Sequence, residues 1–174
     1  LRSVEAWGAA RTETANLTSV GRPEQLRAAG VSEGFLALFG ARPSHGRLIV
    51  AEDFRTLDAA VISEGFWERA FGRDPDVLGR PLVLDGREHV VVGIMAGSFT
   101  PPEALTGSTV DVWRAMDWTS PMFEDESYHV LSVVGRLAPG ASAEAAQEEI
   151  DGLVSRLAEV TPQQWRRRDG TLRT

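Results

Sequence analysis

From Asp58 to Met95 the chain reads DAAVISEGFWERAFGRDPDVLGRPLVLDGREHVVVGIM, and few alternative folds suit that order of residues. Ala59 to Ile62 is a short apolar strand candidate. Ser63 follows with an oxygen that can accept the first free backbone N–H of a helix. Glu64 adds negative charge to the first turn, where the helix dipole favours it. Phe66, Trp67, Ala70 and Phe71 recur at helical spacing and predict one apolar face. Gly72 reaches the left-handed conformation at little cost and ends the helix, and Asp74-Pro75 prevents its continuation. Leu82 to Leu84 and Arg87 to Ile94 flank Asp85-Gly86. That pair predicts a type I′ hairpin, because both central residues of such a turn need positive φ. The unbroken Val90-Val91-Val92 predicts a strand covered on both faces. The polar residues fall mostly at caps and turns, so the block is rich in structure signals and poor in chemistry. It points to a binding or force-transmitting module.

The flanks are less strongly patterned. Ser3 to Trp7 reads as a weak strand within a loosely mixed Leu1–Ala15. Gly21-Arg22-Pro23 predicts a turn, and Glu24 to Val31 its antiparallel partner. A helical reading competes there, since EQLRAA consists of good helix formers. Ser32 is placed to cap a helix on which Phe35, Leu36 and Phe39 share a face, with Gly40 as its stop. Ala41 to Arg47 carries turn signals throughout and predicts a loop. Ala96 to Ser127 is irregular, with Pro101-Pro102, Gly107 and Pro121, and holds one short strand near Val110 to Trp113. His129 to Leu137 predicts a strand. Ser142 caps the longest helix, about Ala143 to Val160, whose apolar stripe is Ala146, Ile150, Leu153, Val154 and Leu157. The tail from Gln163 has no clear period.

Composition excludes several classes of function. The formal net charge of -7 disfavours nonspecific nucleic-acid binding, which needs a basic footprint. All 18 basic residues are Arg, as codon bias in a GC-rich genome would give. With no Cys, there is no disulfide, thiolate nucleophile or Cys-ligated metal. The longest strongly apolar run, Val90 to Ala96, falls far short of the roughly 20 residues that span a bilayer. No signal peptide is visible. Beginning at Leu1, the chain reads as a piece of a longer protein, with any membrane anchors outside these residues.

The chemistry-bearing residues lack catalytic spacing. His45, His89 and His129 have no second His at i+4, so zinc spacing is missing, and each reads as an ordinary surface or core histidine. Ser63 sits between strand and helix like a nucleophile elbow but lacks the flanking glycines, and capping accounts for it. No phosphate-cradling glycine motif occurs, nor a Lys for a P-loop. Glu52-Asp53 and Glu124-Asp125-Glu126 lack calcium-loop spacing and read as solvated loops. Trp165 with Arg166-Arg167-Arg168 is too short for a lipid-binding cluster and reads as a solvated end. No cofactor or metal is expected. Phe99, Trp113, Met116, Trp118, Met122 and Phe123, in or beside the irregular segment, either form a partner surface or cover the core under a long loop.

In order and spacing, one set of residues resembles a known family. It comprises Phe35 with Gly40, Gly46-Arg47, Asp53, Trp67 with Phe71-Gly72, Leu78-Gly79, Leu84-Asp85-Gly86, Val92-Gly93, Phe99, Trp113, Arg136-Leu137 and Pro139-Gly140. Across about Val31 to Leu157 it resembles the periplasmic core domain of MacB-like, FtsX-related ABC transporter permeases. The resemblance implies an α+β domain with a mixed sheet and packed helices, a porter-like part with a smaller inserted α/β subdomain. The porter-like part would take residues 1–40 and 125–174, and the insert 41–124. It implies a single extracytoplasmic (periplasmic) core domain of a bacterial inner-membrane permease, lying between the first transmembrane helix and the rest. Such a domain has no catalytic residues of its own. ATP hydrolysis would reside on a separate domain or subunit and be coupled through this domain to efflux, lipoprotein release or envelope-protein control. The implied partners are the rest of the permease and its ATPase, a periplasmic adaptor or envelope protein, and a second permease copy in the membrane. Nucleic acid is not among them.

Two other classes remain to be told apart. The same domain would serve as a ligand-sensing or protein-interaction module of a non-transport receptor, whose gene would continue into a signalling domain. A secreted hydrolase using Glu52, Asp53 or Glu124 is the third, and substrate screening would reveal it.

Overall fold

In chain order the elements are β1 (Val4–Leu17), β2 (Glu24–Val31), α1 (Phe35–Leu38), β3 (Pro43–Gly46), α2 (Asp53–Thr56), β4 (Ala59–Ser63), α3 (Glu64–Phe71), β5 (Pro81–Leu84), β6 (Arg87–Met95), β7 (Val112–Ala115), β8 (Ser132–Leu137) and α4 (Ala143–Val160). This computed structural model describes residues 1–102, 109–123 and 131–160, the last without the side chains of Leu157, Ala158 and Val160. The readings made on Gly107, Glu124 to Glu126, His129, Leu157 and Trp165 to Arg168 lie outside the described residues.

The central block folds as its residues specify. Ser63 Oγ accepts the Phe66 N–H at 3.0 Å, and Gly72 closes α3 with φ 58°. Phe66 and Trp67 are buried, while Ala70 and Phe71 pack against them half-buried. Asp85 and Gly86 take φ 52° and 80°, the positive pair of a type I′ turn, and Leu84 faces Arg87 across it. In β6, Val91 is buried and Val90 and Val92 are half-buried.

The fold is α+β, with a mixed eight-stranded sheet in the order β2-β7-β4-β6-β5-β1-β8 and β3 attached to β6. Two pairings are parallel, β2 with β7 and β4 with β6; the others are antiparallel. β1 also pairs with β2 from Ala10↔Val31 to Leu17↔Glu24, so the path closes on itself as a ring of six strands. Strand alternation then divides the core. Ala15, Leu17, Leu26, Ala28, Ile62, Leu84 and Val112 point to one face with Phe66 and Trp67. Ala10, Val31, Val61, Met95 and Trp113 point to the other, under Phe35 and Leu36 of α1. Each fully buried Leu, Ile or Phe contributes about 1.5–3 kcal/mol.

Several local expectations are corrected. The weak strand at Ser3–Trp7 is the start of the much longer β1. The α1 N-cap is Gly34, with no side-chain cap; Ser32 Oγ instead accepts the Ala9 N–H at 2.8 Å and joins β1 to β2. Pro43–Gly46, expected as loop, is β3, because the edge of β6 is open to it. Gly46 and Gly93 allow that approach: a Cβ on Gly93 would lie 2.0 Å from Arg47 O, and one on Gly46 2.3 Å from Val92 O. Asp53 is buried rather than solvated. Ser142 caps α4 through the Ala145 N–H at 3.2 Å, but among the described residues of the stripe only Ala146 is buried, and Leu153 is 40% exposed. Glu149 fastens α4 instead, accepting the Arg2 and Ser3 N–H groups at 2.6 and 3.2 Å.

Candidate functional site

β4 and β6 run parallel and end together at Ser63 and Met95. A crevice of about 680 Å³ opens beyond those ends, beside the first turn of α3. The position follows from topology, since side chains diverge where parallel strands stop and a helix begins. Its floor is Met95, Phe99 and Trp113, with the two rings edge to face at 6.2 Å. Trp113 Nε1 is buried and has no hydrogen-bond partner among the described residues. The rim is charged. Asp111 accepts the Arg27 N–H at 3.0 Å, and its other oxygen lies 3.4 Å from Arg69. Glu64 pairs with Arg73 at 3.2 Å, and its carboxylate end lies over Gly97, 2.1 Å from where a Cβ would stand.

This arrangement binds better than it reacts. Ser63 Oγ is occupied by its cap, and the rim carboxylates face arginines rather than a nucleophile. An apolar group would fit the floor, with its polar end toward the charged rim. No group of three His, Asp or Glu suited to a metal exists among the described residues.

The six aromatic and methionine residues singled out above do not form one surface. Trp113 and Phe99 belong to the crevice. Met116 is buried and lines a second, smaller recess with Phe123. Trp118 is 47% exposed and lies 5.3 Å from the Phe123 ring, and Met122 is half-buried nearby in the chain. Trp118 is therefore the outward member of the set, with Met122 and Phe123 half-buried beside it.

His45 is exposed, with its ring 5.2 Å from Trp67. His89 is buried and donates from Nδ1 to Arg87 O at 3.1 Å. Burial pushes its pKa below the ordinary value, and the charges of Arg114 and Arg87 push it the same way. Asp53 and Arg47 form a two-pronged ion pair.

One apolar surface escaped the sequence reading. Trp7 and Val133 are 60% and 64% exposed on the outermost strand pair. Trp7 faces Gly135 and Val133 faces Ala9, so neither has a large side chain opposite. The apolar alternation of β1 and β8 was the available signal.

Among the described residues, no helix is long and apolar enough to cross a membrane. No curated protein sequence matches the chain. The fold is similar to that of the extracellular domain of the ABC-type transporter YknZ from Gram-positive bacteria, with a TM-score of 0.66 and 15% identity, covering 92% of this chain and 78% of that one. It is also similar to the periplasmic region of MacB from Actinobacillus actinomycetemcomitans, with a TM-score of 0.67 and 13% identity, covering 98% and 79%. The family profile described as the MacB-like periplasmic core domain matches residues 1–153, and with that match over most of its length the chain belongs to this family.

Proposed function

We propose that this chain is the extracytoplasmic part of an ABC transporter permease, and that it couples ATP hydrolysis in the cytoplasm to work outside the membrane through partner contacts. The match to the family profile over residues 1–153 carries the reading. Two further features support it. Among the described residues the crevice offers binding geometry without a nucleophile–base pair, and six hydrogen-bonded strands close into a ring through which a displacement would be carried. In this reading residues 1–40 and 125–174 supply the porter-like part and 41–124 the insert. Trp118, Met122 and Phe123 contact an adaptor or envelope protein, and two permease copies pair in the membrane. In this reading the coupling serves efflux, lipoprotein release or control of an envelope protein.

The test has two parts. The complete open reading frame should place one hydrophobic span before Leu1 and about three after Thr174, with an ATPase in the same or a neighbouring gene. A frame that runs instead into a kinase or other signalling domain would turn the reading into one of ligand sensing. In the intact transporter, Trp118→Ser should lower export or partner capture while ATP hydrolysis continues. Unchanged export with this substitution, and with Phe123→Ser, would remove the proposed contact surface.

A further inference from the structure

The inner face of the strand ring changes character along its length. Its apolar part includes Ala15, Ala28, Val91 and Val112. Two residues further along the same strands stand Glu13, Gly30, His89 and Arg114, and Arg11 follows on β1. They line a recess of about 210 Å³ with Arg87, walled on its apolar side by Leu57, Met116 and Phe123. Three guanidiniums therefore converge from β1, β6 and β7 in a chain whose net charge is -7.

The facing carboxylates are already engaged. Glu13 is almost fully buried and accepts from both Arg11 and Arg114, the latter at 2.5 Å. Asp117 Oδ1 accepts from the Thr119 N–H and hydroxyl, at 3.0 and 2.7 Å. Asp85 stands at the edge, 3.5 Å from Arg114. Two donors are left over. Among the described residues Arg11 Nε is buried without an acceptor, and Arg87 donates to the Thr56 carbonyl at 2.6 Å and forms no ion pair, its charge reaching the Asp117 carboxylate only at longer range.

We propose that this recess binds a phosphate group. A carboxylate is planar and suits one guanidinium fork, whereas tetrahedral phosphate oxygens can meet forks arriving from different strands. The volume suits a phosphate and is below that of pockets for drug-sized molecules. The phosphate could be free or carried on a lipid headgroup; the recognition chemistry is the same.

The chain labelled with ¹⁵N is titrated with inorganic phosphate at constant ionic strength. Saturable shifts are expected at the Gly30 and Met116 amides and at the arginine Nε–H groups. Arg87→Gln should weaken apparent affinity roughly tenfold or more, as loss of a charge-assisted bond implies. Arg87 is exposed, so this variant should keep the parent's thermal unfolding midpoint. Arg55→Gln, on the exposed side of α2, should leave affinity unchanged. Shifts that do not saturate, that chloride reproduces, or that Arg87→Gln leaves intact overturn the proposal. With saturable shifts in hand, co-sedimentation with phosphatidylglycerol but not phosphatidylcholine vesicles, lost in Arg87→Gln, assigns the phosphate to a lipid. Saturable shifts without co-sedimentation assign it to a free phosphate.

Discussion

Arg47 holds Asp53 with both arms of its guanidinium, Nη1 to Oδ2 at 2.6 Å and Nη2 to Oδ1 at 2.9 Å. The Val50 N–H adds a third bond at 2.8 Å. The pair ties the exit of β3 to α2. Burial alone would push the Asp53 carboxyl up, but the Arg47 bonds, the Val50 N–H and the Arg47 charge together hold it below the ordinary value. A carboxyl lowered in this way stabilises the fold above its unfolded pKa, near 3.9, and that contribution is lost as pH falls through the folded value. Arg47→Met should therefore lose part of the wild-type decline in unfolding midpoint below about pH 4. Asp53→Asn should cost about 1–3 kcal/mol at neutral pH, because an amide donor then faces the guanidinium. Urea unfolding at both pH values checks both outcomes.

Ser63 contributes through one hydrogen bond to the Phe66 N–H. Ser63→Ala should cost about 1 kcal/mol, and Ser63→Asp should recover most of it, because either oxygen can cap α3. Equilibrium denaturation of the three proteins orders them. A Ser63→Ala protein as stable as its parent would remove the capping role.

Gly93 and Gly86 should respond differently to the same substitution. Gly93→Ala drives a methyl into the Arg47 carbonyl and should cost about 3 kcal/mol or more, or prevent folding. Gly86→Ala meets open space and strains only the backbone at φ 80°, at about 1 kcal/mol. Thermal unfolding of the pair separates a steric requirement from a conformational one.

His89 predicts a second acid response at higher pH. Its folded pKa lies below the ordinary value, so the unfolded chain binds the proton first. Stability should fall as pH drops below about 6.5, by at most about 1.4 kcal/mol per unit. His89→Gln keeps a donor for the Arg87 carbonyl but cannot titrate, and its stability should be flatter between pH 7.5 and 5. Identical slopes for the two proteins would acquit His89.

What could be read from the sequence was what depends on neighbouring residues. The Ser63 cap, the Gly72 stop and the Asp85-Gly86 turn are all decided within a few positions, and all three are in the structure. Ser32 looks the same locally, but its oxygen is taken by Ala9 on another strand. β3 carries Pro and Gly and is a strand only because β6 lends it an edge. β1 reads loosely because its first half meets β8 and its second half meets β2. The outcome for the aromatic set followed from period two. Trp113 and Met116 are three positions apart and so fall on opposite faces, which became readable only once β7 was placed.

The closed ring also has a mechanical side. Backbone bonds between antiparallel strands lie across the strand axis. A pull along β1 therefore loads its whole run of pairs with β2, from Ala10 to Leu17, in shear, so the bonds must give way together. A pull across the same strands would unzip them one pair at a time. Tension entering at the start of β1 would load its pairs with β8, from Val4 to Ala10, and then those with β2, both in shear.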